Sequence, residues 1–278
     1  MTIESIYARP GLYDQALPRY EFSGATDDEL LRQELRQLPE DPVPAAVEIG
    51  CGTGRMTRIL RGHATELTCV DASGTMLAVF RKRYPGLSPV HADARDFLAR
   101  SRRSCYGLAT AFWSLNYPLL SCFETNAGDR INAKDPKQGR ADAAELLTNL
   151  TGVLTPGGVL LVFFFDPHSP EQRFVTDLWE TIAPFPGTGR DYTRQLLLDH
   201  LNGSPGQLVT RNHAGQMVAP SLERAETWFL DGHFRSFPGL ADDPKIRRKI
   251  HEFLTGHQHP DGSVRVPAGM HIIRFTRA

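Results

Sequence analysis

The sequence has little of what marks several classes of protein. Lysine and arginine together number 31 against 32 aspartates and glutamates, so the chain carries no surplus of positive charge. Proteins that coat nucleic acid or anionic membranes are usually basic, and this balance disfavours both partners without excluding a local basic patch. Four scattered cysteines with no CxxC pair favour reduced thiols over a disulfide frame or a zinc site.

Long apolar runs are also missing. The longest run, residues 159–165, is about a third of what a membrane-spanning helix needs. The first five residues read MTIES and lack the charged-then-apolar pattern of a secretory signal. With 278 residues, 41% hydrophobic and 23% charged, the composition is typical of a soluble globular protein. We therefore expect a cytoplasmic protein without a membrane partner.

Short apolar runs alternate with helix-like segments over the first 165 residues. Such alternation predicts crossover connections and a parallel sheet covered on both faces. The fifth run is wholly apolar, as expected for a strand buried on both sides. The predicted fold class is α/β, with a Rossmann-like, doubly wound and mostly parallel sheet. The strand candidates are 45–49, 67–71, 89–93, 106–113 and 159–165, and the helical segments are 56–60, 76–84 and 141–154.

The flanking segments follow other patterns. A helix-like stretch at 27–38 predicts an N-terminal helical lid, and the polar residues 124–140 predict an exposed loop. Beyond residue 166 we expect insertions and final antiparallel strands: helices at 176–182, 192–201 and 243–254, and strands within 206–229 and 271–276. The simplest organisation is a single domain, 1–278, with a lid (1–40), a ligand-binding core (41–166) and a substrate-shaping part (167–278).

The most informative motif lies between the first strand and the first helix. Residues 47–55 read VEIGCGTGR, at the sheet edge where backbone amides meet a ligand. Glycines allow a sharp turn and a close approach of the backbone. The order GxGxG differs from the GxGxxG of a dinucleotide site, because Arg55 stands where the third glycine would be. No Gly-Lys-Ser/Thr follows, which excludes a P-loop.

Acidic residues end or flank three successive strands. Glu48 precedes the first glycine, Asp71 ends the second strand and Asp93 ends the third. A carboxylate at Asp71 can accept both hydroxyls of a ribose. Asp93 is within reach of an exocyclic amine. Together with the glycine-rich turn, these residues indicate a nucleoside ligand.

On these motifs the chain resembles a class I S-adenosylmethionine-dependent methyltransferase of the small-molecule type. Residues 48–54 match the glycine-rich motif of the family, Asp71 matches its ribose-binding acid, and the TPGG of 155–158 is frequent in it. The resemblance covers about residues 10–166 and, more weakly, 261–267. It implies S-adenosylmethionine as cofactor and S-adenosylhomocysteine as product.

The resemblance also implies a set of cofactor-binding residues. Met76 packs on adenine in such enzymes, Asp93 and Ala94 meet the adenine amine, and Tyr13 belongs to a segment that closes over the methionine end. The implied set is Tyr13, Glu48, Gly50, Cys51, Gly52, Gly54, Asp71, Ala72, Met76, Asp93, Ala94 and Phe112.

Methyl transfer from a sulfonium is an in-line displacement, so the protein mainly positions two reactants and excludes water. An amine acceptor must be neutral, while a hydroxyl or an acidic carbon often needs a base. His168, just past the fifth strand, is the first choice for a general base, with Tyr117 and Tyr20 as further catalytic candidates. The alternatives are a surface or capping histidine and packing tyrosines. Phe112 could steady the sulfonium by cation–π attraction or simply pack.

Two substrate or ligand classes are disfavoured. Residues 111–117 read AFWSLNY and lack the Asn-Pro-Pro-Tyr motif of enzymes that methylate the amino group of adenine or glutamine. Five of the histidines in the second half, which could suggest a metal site, show no HExxH or comparable spacing, so we expect no metal: His213, His233, His257, His259 and His271.

The predicted function is transfer of a methyl group to an N, O or C atom of a small metabolite, in bacterial natural-product (antibiotic) biosynthesis. The high arginine content with only five lysines fits a GC-rich bacterial genome. We expect a small-molecule acceptor, no nucleic acid, and a monomer or homodimer. Three alternatives stay open: an RNA or protein methyltransferase, a catalyst that uses the bound cofactor for cyclisation or another non-methylating step, and a non-catalytic binding module.

Overall fold

The computed structural model describes residues 10–38, 42–127, 129–184, 189, 191–234 and 237–278. Its centre is a nine-stranded sheet, and a separate two-stranded hairpin lies outside it. The strands of the large sheet are β1 (Arg19–Phe22), β2 (Ala25–Thr26), β3 (Val43–Ile49), β4 (Ala64–Asp71), β5 (Val90–His91), β6 (Tyr106–Phe112), β9 (Leu154–Phe165), β10 (Gly206–Ala219) and β11 (Val264–Arg277). The hairpin pairs β7 (Glu124–Ala127) with β8 (Arg130–Ala133).

The strand order is β2-β1-β10-β11-β9-β6-β3-β4-β5. Pairing is parallel from β9 through β6, β3 and β4 to β5, and antiparallel among β9, β11, β10, β1 and β2. The chain crosses to the other half of the parallel strands between β3 and β6, and ligands of doubly wound sheets bind beside such a crossing. The predicted doubly wound α/β fold is confirmed.

Helices cover both faces of the sheet. They are α1 (Pro10–Ala16), α2 (Asp27–Leu35), α3 (Thr57–Leu60), α4 (Gly74–Arg83), α5 (Ala94–Arg100), α6 (Asn116–Phe123), α7 (Pro136–Gly152), α8 (Pro170–Trp179), α9 (Asp191–Asn202), α10 (Leu222–Thr227), α11 (Pro238–Ala241) and α12 (Pro244–Thr255). A π-helical turn, Trp228–Phe234, follows α10. No helix within the described ranges is both long and apolar enough to cross a membrane.

The apolar strand β9 lies between two hydrophobic clusters. Val159, Leu161 and Phe163 pack into one cluster, and Leu160 and Val162 pack into the other. Successive side chains of a strand point to opposite faces, so a strand covered on both sides must be apolar throughout. The sequence expectation for residues 159–165 is confirmed, and the strand begins five residues earlier, at Leu154.

The N-terminal lid is helical only in part. Between α1 and α2, β1 pairs antiparallel with β10 in a register from Arg19↔Val218 to Phe22↔Gly215. Tyr20 and Phe22 are buried while Arg19 is exposed, an alternation that suits a strand with one buried face. The lid therefore extends the edge of the large sheet.

Residues 124–140 do not form the expected loop. They contain the β7–β8 hairpin, and α7 begins at Pro136 after its N-cap Asp135. Most of these side chains are exposed, with Ile131 a buried exception, because the hairpin lies on the protein surface. The polar composition of this segment indicates that it is exposed to solvent. It does not distinguish a loop from a surface hairpin, because both are exposed.

The prediction of strands throughout 206–229 is wrong beyond residue 219. β10 is one strand that pairs with β11 along its whole length, and residues 222–234 are helical. Ser221 caps α10 by accepting from the Arg224 N–H. The buried Ala225, Trp228 and Phe229 recur at helical spacing, which outweighs the apparent alternation.

Candidate active site

A cavity of about 670 Å³ opens at the carboxyl ends of β3, β4, β5 and β6, and we call it the glycine-turn cavity. This volume is within the range of small-molecule and cofactor sites. Gly54 is the one residue of the implied cofactor-binding set that does not line it. Those that do are Tyr13, Glu48, Gly50, Cys51, Gly52, Asp71, Ala72, Met76, Asp93, Ala94 and Phe112.

The three glycines of the turn all have positive φ angles, but a side chain at each of them would meet different surroundings. At Gly50 (φ 75°) an added Cβ would lie 2.3 Å from the Ser114 Cβ, and at Gly54 (φ 87°) it would lie 2.4 Å from the Tyr84 ring. Both glycines are needed for close packing within the protein. At Gly52 (φ 55°) a Cβ would meet nothing within 4 Å, so its backbone faces open space that a ligand can occupy.

Asp71 is oriented by two backbone amides. Its Oδ2 accepts from the Gly52 N–H at 2.8 Å and its Oδ1 accepts from the Ser73 N–H at 2.7 Å. Burial raises the pKa of this carboxyl above its usual value, although the hydrogen bonds from the two amides act in the opposite direction. A carboxylate can accept about four hydrogen bonds, so both oxygens keep capacity for a further donor. The geometry suits a vicinal diol such as that of a ribose.

Glu48 is fully buried in the floor of the same cavity. Its Oε2 accepts from the Thr57 hydroxyl at 2.5 Å. Burial raises the pKa of Glu48 to about 8, against the opposing effects of Thr57 and Arg55. At neutral pH the carboxyl is therefore mainly protonated, and a cationic group placed beside it would favour its ionised form.

A second cavity, of about 400 Å³, lies between the lid and the ends of β6 and β9, and we call it the aromatic cavity. Its wall combines the lid with α8, the start of α9 and the π-helical turn. Nine aromatic residues line it: Tyr13, Tyr20, Trp113, Tyr117, Phe163, Phe164, Phe165, Trp179 and Trp228. Such a wall favours an apolar or ring-containing ligand.

The two cavities meet at a junction of four residues, Tyr13, Arg55, Trp113 and Tyr117, which line both. Trp113 has a φ of 61°, a left-handed conformation that is strained for a bulky side chain. Its indole N–H donates to Asp27 Oδ2 at 3.2 Å. Burial raises the pKa of Tyr13 to about 12, so this phenol stays neutral at physiological pH. The two cavities are therefore adjacent and share these side chains as part of their walls.

Ion pairs fasten the lid onto the glycine-rich turn. The Arg55 guanidinium lies 2.8 Å from Asp27, at the start of α2. In α1, Asp14 binds the Arg83 guanidinium at 2.6 Å and accepts from the Thr53 hydroxyl at 2.8 Å. These contacts hold α1 and the start of α2 against the walls of the two cavities near their junction.

The structure separates the three catalytic candidates. Tyr20 is buried in the wall of the aromatic cavity, and Tyr117, half exposed, is at the junction. His168 lines neither cavity: its side chain is 60% exposed, and its Nε2 lies 3.5 Å from Asp191 Oδ2. The catalytic roles of all three stay predictions.

Sequence analysis did not identify Glu171 as part of this region. The Tyr20 hydroxyl donates to Glu171 Oε1 at 2.6 Å, and His233 Nε2 lies 3.8 Å from the same oxygen. Ser169-Pro170-Glu171 reads as an ordinary helix start, and nothing in the sequence signals that the carboxylate is fully buried. The sequence drew attention to His233 only as a metal ligand. Across the described ranges, no group of three or more His, Cys, Asp or Glu side chains could hold a metal ion.

Known proteins resemble the chain both in this core and beyond it. The methyltransferase domain family matches residues 46–121. A trans-aconitate 2-methyltransferase of Methylobacterium radiotolerans is 32% identical over 214 residues, which is 75% of this chain and 70% of that protein. The chain belongs to the class I S-adenosylmethionine-dependent methyltransferases. The family predicted from the glycine-rich motif is confirmed.

Two further matches describe the extent of the similarity. A trans-aconitate 2-methyltransferase of Acidovorax sp. (strain JS42) is 34% identical over 199 residues. This chain spans 64% of the length of that relative. A crystal structure of a candidate methyltransferase from Bacillus halodurans C-125 superposes with a TM-score of 0.54 at 13% identity, covering 90% of this chain and 98% of that one. The structural match extends the shared fold to the antiparallel half of the sheet.

The glycine-turn cavity fits the cofactor of the family. The open side of Gly52 leaves room for a ligand against the backbone, and Asp71 presents oriented acceptors for a diol. The buried Glu48 offers a counter-charge for an amino group. S-adenosylmethionine carries a ribose diol and an amino group, and these are the two features that the cavity can bind.

Proposed function

We propose that this methyltransferase transfers the methyl group of S-adenosylmethionine to an N, O or C atom of a small metabolite held in the aromatic cavity. The observation that carries the proposal is the junction, where Tyr13, Arg55, Trp113 and Tyr117 line both cavities. A donor in the glycine-turn cavity and an acceptor in the aromatic cavity would meet there, and an in-line displacement requires that contact.

Each part of the site has a proposed role in this reaction. When bound, the cofactor supplies a methyl group on a positively charged sulfur. Asp71 holds the ribose hydroxyls, Met76 packs against the adenine, and Asp93 lies at the adenine edge. The lid, fastened by the Arg55–Asp27 pair, excludes water from the junction.

The acceptor side has catalytic candidates rather than a complete assignment. Tyr117 at the junction and Tyr20 in the wall are placed to orient an acceptor. For His168 to act as the base, its exposed imidazole would have to exchange a proton with the cavity through Asp191, which lines it. Alanine at His168 should then lower turnover far more than cofactor affinity.

The proposed setting is bacterial natural-product biosynthesis in the cytoplasm, by a monomer or homodimer. The 400 Å³ aromatic cavity supports a small acceptor, because a folded protein or an RNA helix could not enter it. The apolar wall also favours ring-containing metabolites over small polar ones.

Methyl transfer from labelled S-adenosylmethionine into a bacterial extract fractionated by size tests this function. We expect label in the small-molecule fraction together with release of S-adenosylhomocysteine. Label in RNA or protein would show that the acceptor is a macromolecule and not a small metabolite. The extract is also prepared from the bacterium that makes this protein. Tight cofactor binding without any label in that extract would contradict methyl transfer and favour a non-methylating step.

A further inference from the structure

One corner of the aromatic cavity is polar although the rest of its wall is apolar. We call Tyr20, Glu171, Gln172, Trp228 and His233 the polar corner. All of these except Glu171 line the cavity, and Glu171 lies behind Tyr20 with no exposed surface. They come from three distant segments: β1, the first turn of α8, and the π-helical turn that begins at Trp228. The proposed methyl transfer gives only Tyr20 a place, in orienting the acceptor, and leaves the other residues of this corner without a role.

Two hydrogen-bond donors in the polar corner lack acceptors. Trp228 Nε1 and Gln172 Nε2 are buried and make no hydrogen bond within the described protein. Glu171 Oε2 and His233 Nε2, which donates or accepts according to its tautomer, are also buried without a hydrogen bond. A buried donor without a partner is costly, and native structures rarely keep several together. The two donors on one cavity wall indicate that a ligand oxygen completes the arrangement.

Tyr20 supplies the complementary acceptor. Because its hydroxyl hydrogen is donated to Glu171 at 2.6 Å, the lone pairs of Tyr20 Oη are what remains for a ligand. Burial, followed by the Glu171 carboxylate, raises the pKa of Tyr20 well above its usual value. Trp228 lines the same corner of the cavity, and its indole N–H makes no hydrogen bond within the described protein. A ligand group that both donates and accepts would bridge the two.

Charge in the cavity wall disfavours ionic ligands. Glu171 places a buried carboxylate directly behind the corner, which repels an anionic group, and the unpaired N–H donors of Trp228 and Gln172 suit no ammonium group. The guanidiniums in the wall are already paired: Arg19 with Glu21 at 3.1 Å, Arg55 with Asp27 at 2.8 Å and Arg194 with Asp191 at 2.9 Å. Among the described residues, none of these arginines is left to neutralise a carboxylate ligand.

We propose that the polar corner binds a neutral hydroxyl group of the acceptor, an alcohol or a phenol on an apolar body. The hydroxyl donates to Tyr20 Oη and accepts from the Trp228 indole N–H. Glu171 is a positioning residue, because it holds the Tyr20 hydrogen away from the cavity. The inference rests on the proposed function, in which this cavity holds the acceptor. The bound hydroxyl anchors the acceptor and need not be the atom that receives the methyl group.

The test measures binding of four probes that share one ring system and one substitution position: naphthol, methoxynaphthalene, naphthoate and naphthylmethylammonium. Each is titrated into the full chain saturated with S-adenosylhomocysteine, by calorimetry or ligand-observed NMR. We expect naphthol to bind at least about tenfold more tightly than its methyl ether, since the ether cannot donate to Tyr20 and leaves a buried acceptor unpaired. Naphthoate and the ammonium should also bind more weakly than naphthol.

Variants identify which residues cause the preference. Tyr20→Phe should remove the advantage of naphthol over the ether while the affinity of the ether stays unchanged. Glu171→Gln keeps the shape but removes the charge, so naphthoate should gain affinity while the ether again stays unchanged. Loss of packing would weaken all four probes together. Tyr106→Phe and Glu124→Gln alter a tyrosine and a buried glutamate outside both cavities and should leave the order of affinities as in the wild type.

The outcomes separate this inference from the proposed function. Equal binding of naphthol and its ether, tighter binding of an ionic probe, or no binding of any probe up to its solubility limit would overturn the hydroxyl assignment, even if S-adenosylhomocysteine binds. Failure to bind S-adenosylhomocysteine would overturn the proposed function instead. The four probes would then be compared on the chain alone, where the same order of affinities is expected.

Discussion

The two cavities are built in opposite ways. The glycine-turn cavity takes most of its wall from residues 48–56, 70–76, 92–94 and 112–121, which follow four successive parallel strands. The aromatic cavity is assembled from the lid, the ends of β6 and β9, α8, α9 and the π-helical turn, over more than two hundred residues of chain. In the first, backbone geometry at strand ends shapes most of the wall. In the second, side chains from distant segments decide what fits.

The sharpest way to break the glycine-turn cavity is to add one methyl group to its backbone. Gly50→Ala combines a strained positive φ with a Cβ only 2.3 Å from the Ser114 Cβ. We therefore expect the free energy of unfolding to fall by about 4 kcal/mol. Chemical denaturation of the ligand-free chain measures this. Gly157→Ala is the matched control, because its φ is also positive (74°) but an added Cβ meets nothing within 4 Å. A similar loss in both variants would contradict the steric explanation.

A substitution at the junction should weaken ligand binding in both cavities. Asp27→Asn removes the nearer of two carboxylates beside the Arg55 guanidinium, at 2.8 Å, and leaves Asp28 at 3.7 Å, so the free energy of unfolding should fall by about 2 kcal/mol. Affinity for S-adenosylhomocysteine and for the naphthol probe should drop together, because the lid lines both cavities. The exposed Asp261, paired with Arg265, provides the control, and Asp261→Asn should change neither affinity. An effect of Asp27→Asn on one ligand alone would show that the cavities are independent.

The ribose position should affect one cavity only. Asp71→Ala removes two backbone hydrogen bonds and the acceptors for the diol, so affinity for S-adenosylhomocysteine should fall at least about tenfold. Binding of naphthol to the ligand-free chain should stay as in the wild type. Calorimetry measures both, with the exposed Asp96→Ala as control. Unchanged affinity for S-adenosylhomocysteine would remove the ribose assignment.

The effect that is smallest per step of the experiment is a pH dependence of stability. Burial raises the pKa of Glu48 from about 4.5 to about 8. Below pH 4.5 the carboxyl is protonated in both states, and between 4.5 and 8 only the folded state keeps the proton. Stability from this group therefore falls as pH rises through that window, by up to about 1.4 kcal/mol per pH unit, and levels off above 8. Glu48→Gln should flatten the slope in denaturation series, whereas Glu66→Gln at an exposed site should not. Identical slopes in all three proteins would refute the assignment.

The same contrast explains what the sequence could predict. Glu48, Asp71 and Asp93 each stand at the end of a short apolar run, and parallel strands bring their ends to one edge, so sequence spacing alone predicts their proximity. The glycine-rich turn adds a backbone conformation that few residues allow. Eleven of the twelve residues implied for the cofactor line the glycine-turn cavity; Gly54 packs against Tyr84 instead.

The aromatic cavity had no comparable signal. Glu171 and His233 are 62 residues apart in the sequence and meet only because α8 and the π-helical turn pack against the same lid strand. Periodicity misled at Trp228 and Phe229, where a helical spacing resembled strand alternation. His168 has a suitable type and position in the sequence, but only the folded chain shows that its side chain faces outward. Contacts between distant segments depend on packing, which local patterns do not encode.

The pairing of β1 with β10 has a consequence for synthesis on the ribosome. β1 lies near the start of the chain, but its partner in the sheet begins at Gly206, and β10 is itself held by β11. The parallel strands from β3 to β9 have all their parallel partners by Phe165, and only the outer edge of β9 still lacks its antiparallel partner β11. The cofactor half can thus assemble while translation continues, whereas the lid strand must wait until β10 and β11 have left the exit tunnel. A strand that precedes the cofactor half in the sequence therefore pairs only after that half has formed.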